Sequence, residues 1–125
     1  MYRAVLPFES PRKFMILSYS VSHGQLLLRS QPEKKDDIRI DVLFKAVMAM
    51  ELRARSEGLH ISKIPFEELE GLPSRPLDLI GDGQESAYLV SGKGWSGYVL
   101  GLSVFTVEDY GPPLGRSILL GPEIP

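Results

Sequence analysis

The stretch from Asp36 to Ile64 constrains the fold most, because it begins with a strict alternation of side chains. Apolar residues occupy every second position there: Ile38, Ile40, Val42 and Phe44. They alternate with the charged residues Arg39, Asp41 and Lys45. Since successive side chains of an extended chain point to opposite faces, this pattern predicts a strand with one buried face and one solvated face.

The continuation over 43–57 supports two interpretations. Apolar residues at Leu43, Val47 and Met50 have helical spacing, and Gly58 suits a helix C-terminus. The same stretch also alternates between apolar and polar residues. A helix there would have to begin directly out of a strand without a capping residue, which favours the extended interpretation. The alternative is an α+β fold with a helix at about 43–57.

The remaining apolar runs are short and separated by turn residues. A hairpin is predicted from 13–21 and 25–30 around His23-Gly24. Pro7 and Pro11 argue against a central strand in 1–12. A long connection follows over 65–86, with one helical turn predicted at its start.

The C-terminal part predicts further strands. One covers 87–92, a glycine-rich turn follows over 92–97, and a longer strand covers 98–107. Gly101 within it indicates a bulge, a bend or the close approach of another backbone. A short edge strand is predicted at 117–120. The chain is therefore expected to be a mainly β, single-domain (1–125), meander-rich barrel or sandwich with at most one helix.

Composition and charge exclude several classes of function. The 125 residues carry 14 basic and 16 acidic side chains, so no strong attraction for nucleic acid is expected. There is no cysteine, which rules out disulfides, thiolate metal sites and a cysteine nucleophile. The N-terminal stretch has no secretory pattern, and no apolar run approaches the roughly 20 residues that span a bilayer. We therefore expect a cytoplasmic, soluble protein without membrane association.

The glycine-rich segment 92–97 contains the best candidate for an interaction residue. Trp95 is the only tryptophan and is surrounded by glycine and polar residues. Tryptophan is enriched at interface hot spots, so Trp95, with Lys93 and Tyr98, is predicted to contact a partner. A phosphate-binding loop is not expected, because the segment leads into a β-rich run rather than a helix.

The histidines support an alternative hypothesis. A general base or metal site needs groups that converge in space, and His23 and His60 lack any metal-binding spacing. A pocket lined by His23 or His60 with Glu108 would make the protein a small-ligand binder or a hydrolase-type enzyme. We favour a non-enzymatic protein-interaction module with no cofactor and no metal. Self-association through an open sheet edge is a secondary expectation.

Overall fold

The computed structural model describes residues 2–65 and 86–121, and these form one antiparallel β-sheet. The strands are β1 Phe8–Ser20, β2 Gln25–Ser30, β3 Arg39–Lys45, β4 Ala49–Glu51, β5 Arg55–Ile64, β6 Ser86–Gly92, β7 Trp95–Gly101 and β8 Ser103–Asp109. A 3-10 turn over Ile118–Leu120 is the one helical element in the described part of the chain. The predicted mainly β fold is confirmed, and so is the extended interpretation of 43–57.

The strand order is β4-β7-β6-β5-β1-β2-β3-β8. β4 follows β3 after a short bend, and β8 follows β7 after Leu102. The two bends are hydrogen-bonded to each other: Leu102 N donates to Lys45 O at 3.0 Å, and Met48 N donates to Leu100 O at 2.8 Å. The segment β3–β4 therefore lies along the segment β7–β8, and this contact brings the two ends of the strand order together. The sheet is not closed, and both a sandwich and an open barrel are consistent with it.

Two glycines allow the backbones to approach at this bent pair. A Cβ at Gly101 would lie 3.1 Å from the carbonyl oxygen of Lys45. A Cβ at Gly97 would overlap the carbonyl oxygen of Glu51 on β4. The close approach predicted at Gly101 is confirmed, because only a residue without a side chain fits there without displacement.

Buried apolar side chains from every described strand except β4 form the main core. Its members are Phe14, Leu26, Leu28, Ile40, Val42, Phe44, Val47, Leu59, Ile61, Tyr88, Val90, Val99 and Val104. Most lie on the inward face of the curved sheet, and their alternation along each strand follows the period of two. A second, smaller cluster contains Ala87, Tyr98 and Leu100.

The prediction that one face of β3 is exposed to solvent is wrong. Arg39 and Asp41 are buried, as is Arg29 on β2. The chain after β8 lies against them, since Arg29 Nη1 donates to the carbonyl oxygens of Pro113 at 3.0 Å and Gly115 at 2.7 Å. Charged side chains are tolerated there because each guanidinium is paired and hydrogen-bonded.

Two further expectations are corrected. β1 begins at Phe8 and lies between β5 and β2, and Pro11 is accommodated where its register with β5 shifts between Ser10 and Lys13. Residues 118–120 form a 3-10 turn rather than a strand, because the Ser117 side chain accepts a hydrogen bond from Leu119 N.

The predicted connection and helical turn over 65–86 lie almost wholly outside the described residues. None of the helical structure in the described ranges is long and apolar enough to cross a membrane.

Candidate functional site

A cavity of about 530 Å³ opens beside β1, between the chain that follows β2 and the start of β5. We call it the Trp95 cavity. Its apolar wall consists of Phe14, Met15, Pro32 and Trp95. Its charged rim consists of Lys13, Arg53, Arg55, Lys93, Glu33 and Glu57. The cavity thus combines apolar contact area with an excess of positive charge.

Trp95 is held in the cavity wall by both packing and a hydrogen bond. It is the first residue of β7, opposite Gly92, and its ring packs against the main core. The indole Nε1 donates to Ser56 Oγ at 2.8 Å, and Ser56 Oγ donates to the carbonyl of Gly58 at 2.6 Å. Trp95 is therefore half-buried with a fixed orientation, rather than displayed at the tip of a loop.

The rim is built by strand pairing between distant parts of the sequence. Lys13 on β1 is opposite Glu57 on β5, and Met15 is opposite Arg55. The turn between β6 and β7 adds Lys93, whose backbone N donates to Glu57 O at 2.9 Å. The Lys93 ammonium lies 3.8 Å from the Glu57 carboxylate, with both side chains largely exposed. An ion pair of this kind contributes little to stability.

The opposite side of the cavity is shaped by the loop between β2 and β3. Glu33 N donates to Asp37 Oδ2 at 3.2 Å, and Ile38 N donates to Asp37 Oδ1 at 2.8 Å. The hydrogen bond from Glu33 is the main cause that lowers the pKa of Asp37, and the nearby Arg12 adds to it. These bonds hold Glu33 at the rim.

The structure brings together two of the three predicted interaction residues. Trp95 and Lys93 both line the Trp95 cavity. Tyr98 does not, because it is buried in the smaller cluster on the other face of β7. Burial is the main cause that raises the pKa of Tyr98, with a smaller contribution from Glu51.

The three residues of the alternative pocket are not brought together. His23 is exposed in the turn after β1, where its Nδ1 lies 2.9 Å from Ser22 Oγ. His60 on β5 is opposite Glu9 and lines a shallow, open groove that also includes Glu57. Glu108 is exposed on β8, opposite Ile40. It lines neither the groove at His60 nor the separate groove that includes His23.

Sequence reasoning missed Lys13, Arg53 and Arg55 as site residues. The run Arg53-Ala54-Arg55 was visible as a local basic signal. Its significance depends on the pairing of β1 with β5, which a sequence pattern does not reveal. Within residues 2–65 and 86–121, no group of three histidine or carboxylate side chains is placed to hold a metal ion.

Fold and site together describe a small antiparallel β protein with a cationic, tryptophan-containing cavity at one side of its eight-stranded sheet. No protein-family model matches this chain, and no curated protein or solved structure matches it either. The function of this chain is therefore inferred from the geometry of the site itself.

Proposed function

We propose that this protein is a non-enzymatic interaction module, and that the Trp95 cavity receives a segment of a cytosolic partner protein. One observation carries the proposal: a fixed, half-buried tryptophan lies beside Phe14 and Met15 in an open cavity with a charged rim. An apolar centre surrounded by polar groups is the usual anatomy of a protein interface. Rigid aromatic anchors such as Trp95 contribute most to the binding energy there.

The chemistry of the cavity favours binding over catalysis. Among the described residues, those that line it include no histidine. The hydroxyl of Ser56 already accepts from the Trp95 indole and donates to the Gly58 carbonyl. A serine nucleophile needs an adjacent base to take its proton, and the hydroxyl of Ser56 is instead committed to the carbonyl of Gly58. The volume is within the range of roughly 300–1,000 Å³ that is typical of ligand sites.

Selection from a displayed library of random peptides tests this proposal. Peptides are selected on the immobilised wild-type protein and counter-selected on Trp95→Ala. We expect enriched peptides to bind Trp95→Ala at least about tenfold more weakly, because truncating a hot-spot residue costs 2 kcal/mol or more. The matched control is Tyr110→Ala, which removes an exposed aromatic outside the cavity.

Because Trp95 also packs against the core, its truncation could unfold the protein. Met15→Arg provides a second variant that fills the cavity from a partly exposed strand position. Circular dichroism checks that each variant is folded. The proposal fails if no peptide is enriched, or if the enriched peptides bind wild type, Trp95→Ala and Met15→Arg equally well.

A further inference from the structure

We infer that the segment received by the Trp95 cavity is acidic, with one apolar, preferably aromatic, side chain flanked by Asp or Glu. This inference rests on the proposed function and specifies the chemistry of the partner. Its central observation is the juxtaposition of four cationic side chains around an apolar wall: Lys13, Arg53, Arg55 and Lys93.

The rim carries a local excess of positive charge. Among the described residues it has four cations and only two carboxylates, Glu33 and Glu57. A cleft with a local excess of one sign attracts ligands of the other sign and orients their approach. An acidic segment is therefore attracted to this opening and is oriented there by the charged groups.

The arginines of the rim are available for a ligand. Neither Arg53 nor Arg55 forms an ion pair with any described residue, and both side chains are exposed. By contrast, Arg12, Arg29 and Arg39 are engaged with carboxylates and carbonyl oxygens. A free guanidinium presents a planar set of donors that fits a carboxylate with two parallel hydrogen bonds.

The rim carboxylates do not neutralise this charge. Glu57 faces Lys93 at 3.8 Å in an exposed pair that an incoming carboxylate can replace at little cost. Glu33 is exposed at the other side of the opening. The positive charge near Arg53 and Arg55 is therefore open to the ligand.

The apolar wall specifies the second part of the ligand. Met15 and Trp95, both half-buried, provide contact area for one inserted side chain, above the buried ring of Phe14. The Trp95 ring is packed against the core and its N–H is already bonded to Ser56. The ring is thus a wall for one inserted side chain, whereas single-stranded nucleic acids need an exposed platform on which several bases stack. A peptide is therefore favoured over a single-stranded nucleic acid.

Fluorescence anisotropy of defined probes tests the inference. The first probe is a short fluorescein-labelled peptide of Glu and Asp residues with a central Phe. A second probe replaces Phe by Ala, a third replaces the acidic residues by Lys, and an oligothymidylate of matched charge serves as competitor. We expect the first probe to bind at least about tenfold more tightly than the second or third, with affinity that falls as salt is raised.

Charge reversal identifies the site. Arg53→Glu with Arg55→Glu should weaken binding of the first probe by about tenfold or more. The matched control, Lys35→Glu with Lys63→Glu, makes the same change in net charge at exposed residues outside the cavity and should leave binding within about twofold. Arg53→Gln with Arg55→Gln gives the same test without introducing new negative charge.

The outcomes separate this inference from the proposed function. If library peptides bind through Trp95 but lack acidic residues, or if the Lys probe binds as tightly as the acidic probe, the inference is overturned while the interaction module stands. If the two double variants weaken binding equally, the rim arginines are not the site and the inference is overturned. Equal binding of the oligothymidylate at the same residues would overturn it in favour of nucleic acid.

Discussion

Arg29 and Asp41, on the neighbouring strands β2 and β3, form a doubly hydrogen-bonded ion pair in which neither side chain is exposed. The Arg29 Nε lies 2.6 Å from Asp41 Oδ1, and Nη2 lies 2.9 Å from Oδ2. The remaining guanidinium nitrogen donates to the carbonyl oxygens of Pro113 and Gly115. Every described polar atom of this pair therefore has a partner, which is the condition under which buried charges are tolerated.

A second arginine completes the attachment of the chain after β8. Arg39 pairs with Asp109 and also donates to the carbonyl oxygens of Pro112 at 2.7 Å and Arg116 at 2.9 Å. Asp109 Oδ1 also accepts from Gly111 N at 2.7 Å. The segment 112–116 thus has little regular structure of its own and is held by side-chain donors from β2 and β3.

We expect Asp41→Asn to destabilise the protein by about 3–5 kcal/mol, because it leaves the Arg29 charge buried without its counter-ion. Urea unfolding followed by circular dichroism measures the loss. Asp36→Asn is the matched control, since Asp36 is exposed in a left-handed loop conformation that asparagine also adopts. A loss below about 1 kcal/mol for Asp41→Asn would show that the pair is not buried as described.

Gly97→Ala should destabilise the protein by about 1–3 kcal/mol, because the new methyl group would overlap the Glu51 carbonyl and force β4 away from β7. The free energy of unfolding in urea reports the effect. Ser96→Ala, at the exposed neighbouring position, should change stability by less than about 0.5 kcal/mol. Equal stabilities of the two variants would mean that β4 does not approach Gly97 closely.

Ser56→Ala should lower the free energy of unfolding by about 1–3 kcal/mol, because the half-buried indole N–H of Trp95 loses its acceptor. It should also shift the emission of the single tryptophan, which reports directly on the cavity wall. Ser18→Ala, in an exposed position of β1, serves as control and should leave both measurements unchanged. An unaltered tryptophan spectrum in Ser56→Ala would contradict the hydrogen bond.

Stability should fall as the pH rises above 10. Burial raises the pKa of Tyr88 above its ordinary value of 10.0, and it does the same for Tyr98. Because the folded-state pKa is raised, these tyrosines contribute fully to stability below the unfolded-state pKa and lose that contribution as the pH rises from there through the folded-state pKa. Tyr88→Phe should therefore reduce the alkaline loss of unfolding free energy. An identical pH profile for wild type and Tyr88→Phe would refute this assignment.

Local patterns predicted most of the strands because the alternation of side chains is a local property. The alternation from Ile38 to Phe44 predicted β3. The absence of a helix start signal predicted that 43–57 is extended. Gly101 predicted a bulge, a bend or the close approach of another backbone, since a missing side chain is visible in the sequence, and the structure shows the close approach. The prediction for β1 was wrong at Pro11. The proline has no backbone N–H, but it lies where the register of β1 with β5 shifts, so no ladder hydrogen bond is required of it.

The site was predictable only in part. Trp95 and Lys93 were recognised from the glycine-rich segment around them, and both line the cavity. Tyr98 is only three residues from Trp95, but side chains alternate along β7, so Tyr98 points to the opposite face of the strand. There it is buried in the smaller cluster and does not line the cavity. Lys13 and Arg55 were not recognised, because they become neighbours only when β1 pairs with β5.

Local sequence patterns predict the secondary structure class and the positions of several turns, because backbone preferences and side-chain alternation act over a few residues. Which faces are buried and which side chains meet depends instead on tertiary contacts. Arg39 and Asp41 have the pattern of a solvated face, but the chain after β8 covers them and supplies hydrogen-bond partners. The cavity likewise exists because segments distant along the chain pair in the sheet, and contacts between such segments leave no periodic signal in the sequence.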